Sequence, residues 1–301
     1  MKTLISGASG QLATAVKRHW AKDSLIMPSE AELDLTDRES IRAAIQKYKP
    51  DVFLNCAAYT NVDAAESNEG LAKLVNGQAV GWIAQECNDV GALLVQVSTD
   101  YVFDGISTRP LKEDDPVGPC SAYGKSKLEG EVAAQKAYRH IIFRTSWLYD
   151  AWGKNFFNTM IRLANQGKPI KVVSDQRGSP TTCRALARQM RLAIESEWHG
   201  LFHATCTGET TWHGFAQAIF NMMGLAPECS PCSTQEYPTP AKRPAYSVLD
   251  NSKRMALGDD LMGPWEGALR EVVKEKMAGR GQRAELVEVS GPPVACVDEA
   301  E

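Results

Sequence analysis

Lys2-Thr3-Leu4-Ile5-Ser6-Gly7-Ala8-Ser9-Gly10-Gln11-Leu12-Ala13 carries a strand-length apolar run into a glycine turn, and a helical pattern begins directly behind that turn. In this setting glycines let the chain reverse tightly and let backbone N–H groups approach an anion, while the positive end of the following helix favours negative charge. The expected occupant is a dinucleotide pyrophosphate lying over Gly7 and Gly10, with Gln11 and Leu12 opening the helix beneath it. The spacing is G-x-x-G-x-x-A, so Ala13 fills the third small position, whose task is close helix packing. The competing reading is a plain strand-turn-helix corner with no ligand.

The same alternation continues downstream. Residues 3–6, 24–27, 51–56, 92–98 and 140–146 are short apolar runs, and residues 11–21, 38–48, 67–90 and 122–138 between them show helical periodicity. Strands separated by helices of that length predict an α/β fold, a Rossmann-like doubly wound parallel sheet. After Ser146 the alternation loosens: Trp147, Trp152, Phe156 and Phe157 crowd together ahead of a helical 158–166. Residues 170–173 and 201–204 fit strands returning to the sheet, whereas 211–223 and 262–277 read as helices of a smaller, partly interleaved substrate-binding domain. The expected division is a dinucleotide-binding domain over 1–146 with sheet additions from about 170–204, a substrate-binding domain over 147–169 and 205–278, and a loose tail over 279–301.

Composition narrows the partners. With 44% hydrophobic and 23% charged residues in 301, the chain has an ordinary globular balance and enough length for a large core. A net charge of -4 without a long Lys/Arg run argues against nucleic acid. The N-terminus has one basic residue and too short an apolar stretch for an export signal, which implies a cytoplasmic chain that does not enter the membrane. The eight cysteines then read as reduced thiols. Cys229-Ser230-Pro231-Cys232 has metal or redox spacing, but no second pair or His-x-x-x-His accompanies it, so a loop is expected there. His203 and His213 follow no ligand spacing, and no metal is expected.

Two acidic positions bear on the cofactor. Glu32-Leu33-Asp34-Leu35-Thr36-Asp37 reads as the end of a short strand and the opening of a helix, placing Asp34 and Leu35 at the rim where an adenine would lie. Asp34 as a helix cap is the other reading. Glu30 lies about twenty residues past the glycines, where an acid can hydrogen-bond a ribose hydroxyl and would repel a 2′-phosphate. That favours NADH over NADPH, with Ser29 softening the choice.

The reactive groups are expected in Tyr123-Gly124-Lys125-Ser126-Lys127, which puts a phenol and an ammonium one helical turn apart on one face. A ketone that accepts hydride must also accept a proton, and a phenol of ordinary pKa near 10 is a poor acid-base group at neutrality unless a cation stabilises its anion. Val95-Gln96-Val97-Ser98-Thr99-Asp100-Tyr101 ends a buried strand with hydroxyls at its carboxyl end, where open α/β sheets bind ligands. The expected roles are Tyr123 as proton donor, Lys127 as holder of phenolate and ribose, and Thr99 as the group that polarises the carbonyl. The hydride must come from a nicotinamide, NADPH or NADH.

These residues, in this order, resemble the dTDP-4-dehydrorhamnose reductase family of extended short-chain dehydrogenases. The resemblance runs from Gly7 to about Asp250 and includes Asn55-Cys56-Ala57-Ala58-Tyr59-Thr60, Val62-Asp63-Ala64-Ala65-Glu66, Phe143-Arg144-Thr145-Ser146-Trp147-Leu148-Tyr149 and Tyr237-Pro238-Thr239-Pro240-Ala241-Lys242-Arg243-Pro244. It implies reduction of a dTDP-linked 4-keto-6-deoxysugar, dTDP-4-dehydro-6-deoxy-L-mannose, to dTDP-L-rhamnose. It also implies that Thr99, Asp100, Tyr123 and Trp147 touch the deoxysugar, and that Ala57, Ala58, Tyr59, Thr60 and Ser98 line the cofactor. Arg243 either meets the nucleotide diphosphate or is a solvated loop arginine. The chain departs from its relatives at Ala13, at Ala15, where some carry an acid linked to a metal at a dimer contact, and at Ser29-Glu30, where many carry a basic residue.

Rival functions share the motifs. A dehydratase of the same fold is disfavoured because Tyr101, not an acid, follows Asp100. Another nucleotide-sugar 4-ketoreductase or epimerase stays open, as does a non-catalytic partner resembling the regulatory subunit of methionine adenosyltransferase. The sequence also leaves a homodimer open.

Overall fold

The structure, a computed structural model, describes residues 1–20, 24–258 and 260–280. In chain order the first half contains β1 (Lys2–Ser6), α1 (Gln11–His19), β2 (Ser24–Ile26), α2 (Arg38–Tyr48), β3 (Val52–Asn55), α3 (Val62–Ser67), α4 (Glu69–Lys73), α5 (Ala79–Val90), β4 (Leu93–Thr99), α6 (Ala122–Ala134) and β5 (His140–Thr145). The second half adds β6 (Leu148–Tyr149), α7 (Phe156–Asn165), β7 (Ile170–Val173), β8 (Arg177–Gly178), β9 (Thr181–Thr182), α8 (Cys183–Glu195), β10 (Gly200–His203), β11 (Thr210–Thr211), α9 (Trp212–Met223), β12 (Cys229–Cys232), α10 (Ser252–Met255) and α11 (Trp265–Arg280).

Six strands form one all-parallel sheet in the order β10-β5-β4-β3-β1-β2, the doubly wound fold that the alternation of strands and helices predicts. The chain starts inside the sheet, runs outward to β2, then crosses back to β3, so the winding reverses between β1 and β3. At such a reversal the loops at the carboxyl ends part and leave a crevice. The strands read as unbroken apolar runs because helices cover both faces. Ile5, Leu54, Val95 and Phe143 enter a core shared with α1, α8 and α9. Their neighbours Leu4, Phe53, Leu94 and Ile142 enter a second core against α2 and α5.

Residues 201–204 do return to the sheet, since Gly200–His203 pairs with β5. Residues 170–173 do not: β7 pairs in parallel with β12, and Ile170 and Val172 are buried in the core that holds Phe220 and Met223 of α9. Cys229-Ser230-Pro231-Cys232 is therefore a strand and not a loop. Residues 32–37 hold turns where the sequence suggested a closing strand, because β2 ends at Ile26. The cap of α2 is Asp37, which accepts the Glu39 amide, and Asp34 has another task. The run 67–90 is not one helix but α3's end, α4, a π-helical turn over Leu74–Gln78, and α5. Helix α6 stops at Ala134, short of 138. Helix α11 continues through Gly279 to Arg280, and the remainder of the expected tail, 281–301, lies outside the described residues. The seven cysteines among the described residues are free thiols, and no described helix is long and apolar enough to cross a membrane.

Candidate active site

The glycine turn sits at the β1 side of the crevice. Gly7 has φ of 69°, and a Cβ there would lie 2.8 Å from both the Cα and the amide nitrogen of Ala57. Only glycine serves both demands, the left-handed backbone and the close approach of the loop that follows β3. The Gly10 amide closes the turn on the Gly7 carbonyl at 2.9 Å, and Gly10 then opens α1 with no side-chain cap. Six other helices open with a side chain that accepts a first-turn amide: Asp37, Asn61, Ser121, Asn155, Thr182 and Thr211. Helix α1 alone among these seven presents its first amides bare, which is what an anion needs. Leu12 packs its side chain into the core, while Gln11 reaches across to the Leu148 carbonyl and the Asn155 amide, tying the turn to the second half of the chain.

A buried polar relay fixes the carboxyl ends of three adjacent strands. Ser6 donates to Asn55 Oδ1 at 2.5 Å, Asn55 Nδ2 donates to Gln96 Oε1 at 2.8 Å, and Gln96 Nε2 donates to the Val97 carbonyl. The Ser6 hydroxyl also receives the Ala57 amide, which starts the 57–60 loop. Asn76 continues that loop's anchoring from the π-helical turn. Its Oδ1 accepts the Tyr59 amide at 2.8 Å, and its Nδ2 donates to the Tyr59 carbonyl and to Ser126 Oγ on α6. Ser126 in turn donates to the Tyr123 carbonyl. One buried asparagine thus joins the expected cofactor loop to the helix of the expected acid. Sequence reasoning missed it because Asn76 lies inside an otherwise helical run; its signal is an amide-bearing residue at a core position, which must find partners.

Helix α6 brings the expected reactive pair to β4. Ser121 caps it and Glu66 of α3 accepts the Ala122 amide at 2.8 Å. Two glycines inside a helix ordinarily cost about 1 kcal/mol each. Here a Cβ on Gly124 would press into the Tyr101 carbonyl, and one on Gly130 into the Asn76 carbonyl, so both permit backbone contact. Tyr123 is half-buried, its ring meeting Tyr101 edge-on at 5.6 Å and, like Tyr59, packing against Ala65, Ala72 and Ala122. Lys127 is buried, and its Nζ donates to the Val97 carbonyl at 2.7 Å, two residues before Thr99. Burial pulls that ammonium down to about 8, with the Glu131 carboxylate the main opposing influence. An ammonium has three N–H groups. With one on Val97, two remain for a phenolate and a ribose, so the residues present fit a nicotinamide dinucleotide.

The other expected site residues divide into two groups. Thr99 ends β4 and sits beside Thr145 of β5. Its hydroxyl donates to Asp100 Oδ1 at 3.0 Å and accepts the Tyr101 amide, so Thr99 and Asp100 form one unit at the crevice. Asp34 accepts the amide and hydroxyl of Thr36, which hold its carboxyl below the usual range; Leu35 is buried, and Glu30 is exposed. Ser98 points to the opposite face from Thr99 and donates to Glu131 at 2.6 Å. Trp147 is buried with φ of 49°, stacked on Trp212 at 3.5 Å, and a Cβ at Gly178 would lie 2.5 Å from its Cε2. Arg243 holds Asp63 with two bonds, 2.9 and 3.1 Å, and Asp63 also accepts the Ala241 amide. That pair fastens the 241–244 segment over α3, and Pro244 rests on Gly105.

The protein-family model described as RmlD substrate binding domain matches residues 1–278. A dTDP-4-dehydrorhamnose reductase of Burkholderia thailandensis is 44% identical over 270 residues, covering 83% of this chain and 91% of the relative. Among solved structures, a dTDP-4-dehydrorhamnose reductase of Clostridium acetobutylicum superposes with a TM-score of 0.89 at 40% identity, covering 92% of this chain and 100% of its own. The Bacillus anthracis dTDP-4-dehydrorhamnose reductase, solved in complex with NADP, gives a TM-score of 0.89 at 34% identity, covering 91% and 100%.

Proposed function

We propose, from the premise that this chain belongs to the dTDP-4-dehydrorhamnose reductase family, that it reduces the 4-keto group of dTDP-4-dehydro-6-deoxy-L-mannose to dTDP-L-rhamnose with NADPH or NADH. It is an oxidoreductase of nucleotide-sugar and polysaccharide synthesis, and we place it in the cytoplasm, where its reduced thiols belong. The observation that carries the reading is Lys127: a buried ammonium one helical turn beyond Tyr123, fastened to β4 two residues from Thr99, with N–H groups left over.

In this reading the bare first turn of α1 holds the pyrophosphate over Gly7 and Gly10, and the 57–60 loop clamped by Asn76 lines the dinucleotide. When bound, the reduced nicotinamide supplies the hydride that the carbonyl carbon accepts. Tyr123 gives its phenolic proton to the carbonyl oxygen, and Lys127 stabilises the phenolate left behind. Thr99 steadies the oxygen as charge develops there, exchanging Asp100 for the substrate as the acceptor of its proton. Residues 147–169 and 205–278 form the substrate-binding part, with Trp147 and Arg243 shaping its walls. Trp147 does so from within its stack on Trp212, and Arg243 by holding the 241–244 segment through Asp63.

The test is cofactor oxidation followed at 340 nm with the dTDP-keto sugar. Tyr123→Phe is expected to lower kcat by about 100-fold or more while cofactor binding is kept. Unchanged turnover would overturn the assignment of the acid, and wild-type inactivity on this sugar with activity on another 4-keto nucleotide sugar would overturn the substrate.

A further inference from the structure

Glu131 lies on α6 one turn beyond Lys127, on the same face, and is buried. A carboxylate so placed could bond the ammonium directly, yet its oxygens are taken up elsewhere. Oε1 accepts Ser98 Oγ at 2.6 Å and Arg144 Nε at 2.9 Å, and Oε2 accepts Arg144 NH2 at 2.7 Å. Ser98 and Arg144 are register partners on β4 and β5, so the carboxylate is pinned over two neighbouring strands. Lys127 receives its counter-charge across space, and its remaining N–H groups are not consumed by it.

We propose that Glu131, fixed by Arg144 and Ser98, is a positioning residue that keeps Lys127 cationic at the pH of turnover while leaving its N–H groups to the phenolate and the ribose. This rests on the role given to Lys127 above. The surrounding ionisable groups leave Glu131 as the principal counter-charge. Cys56, beyond β3, is pushed up to about 12 by burial and is neutral. Asp100, beyond β4, takes the Thr99 hydroxyl; Glu66 of α3 takes the Ala122 amide; Glu69 and Lys73 of α4 close on each other at 2.9 Å. Arg144 of β5 stands behind Glu131, its guanidinium also over the Phe103 ring at 4.9 Å. Tyr123 is the group served.

The experiment compares the pH profile of kcat in the wild type, in Glu131→Gln and in the double variant Glu131→Gln/Arg144→Met. Without the carboxylate, Lys127 loses its proton more readily, so in Glu131→Gln the alkaline limb moves to lower pH by about one unit. In the double variant the carboxylate is likewise gone, and the limb again lies on the acid side of the wild type's. The double variant removes the buried pair together, an exchange that folds tolerate, and its limb decides the matter if the single variant does not fold. Limbs that coincide with the wild type in the variants that fold would overturn the proposal, leaving Glu131–Arg144 a structural pair. Failure of the underlying reading looks different: the wild type would not oxidise the cofactor with the keto sugar, or Tyr123→Phe would turn over normally.

Discussion

In the proposed reading, helices α1 and α6 serve the same edge of one sheet by opposite means. Helix α1 works by what it lacks: no side chain at Gly7 or Gly10, and no cap over its first amides. Helix α6 works by what it carries, a half-buried phenol and a buried ammonium with a fixed carboxylate one turn on. The first kind of site uses no titratable side chain and at Gly7 leaves no room for a Cβ. The second is tight at Gly124 and Gly130 as well, and depends in addition on nearby charge.

The sharpest way to break this contrast is to remove the charge. Lys127→Met is expected to lower kcat by about 100-fold or more, yet to raise thermal stability at neutral pH, since a buried ammonium is costly. The sign follows from linkage. The folded pKa of about 8 lies below the ordinary 10.5, so the unfolded chain binds more protons between those values and stability rises with pH across that window. A calorimetric series from pH 7 to 10 should show a rise on the order of 2 kcal/mol from this group in the wild type, and none in Lys127→Met. A variant that melts lower at every pH would refute it.

At α1 the corresponding break is Gly7→Val, which meets both the Ala57 backbone and a φ that β-branched residues shun. Cofactor affinity should fall at least about tenfold, equally at pH 6 and pH 9, a pH-independence that equilibrium titration checks and that Lys127 variants should not share. Asn76→Ala joins the two regions, since it unclamps the 57–60 loop from α6. A loss of about 1–3 kcal/mol in stability, with weaker cofactor binding, is expected by denaturant melts and titration. The smallest effect belongs to Ser121→Ala, which removes the α6 cap for about 1 kcal/mol with kcat nearly unchanged.

Legibility in the sequence tracks this same division. Runs such as 51–56 and 92–98 announce central strands because both faces are covered, and the Gly7 turn declares itself by its place between strand and helix. The Tyr123 and Lys127 pairing is legible because the helical period brings the two together. What stayed hidden is nonlocal. Residues 170–173 have the composition of a sheet strand, and only the three-dimensional position of Cys229–Cys232 diverts them. Asn76, Ser98, Glu131 and Arg144 look like scattered polar residues until a π-helical turn sets Asn76 on Tyr59 and Ser126, and the register of β4 with β5 brings Ser98 and Arg144 together on Glu131. Trp147 and Arg243 were legible as motif members, but not their partners Trp212 and Asp63, which lie 65 and 180 residues away.

The Arg243 to Asp63 pairing has a consequence for how the chain is made. A nascent polypeptide that has left the ribosome as far as residue 150 already holds the glycine turn, β1 to β5 and the whole of α6. It lacks β10, the sixth strand, and the 241–244 strap that seals α3 and Gly105. Vectorial synthesis therefore makes five of the six sheet strands before the residues that close the crevice. While residues 151–244 are being made, the crevice stands without the strap that Arg243 and Asp63 fasten.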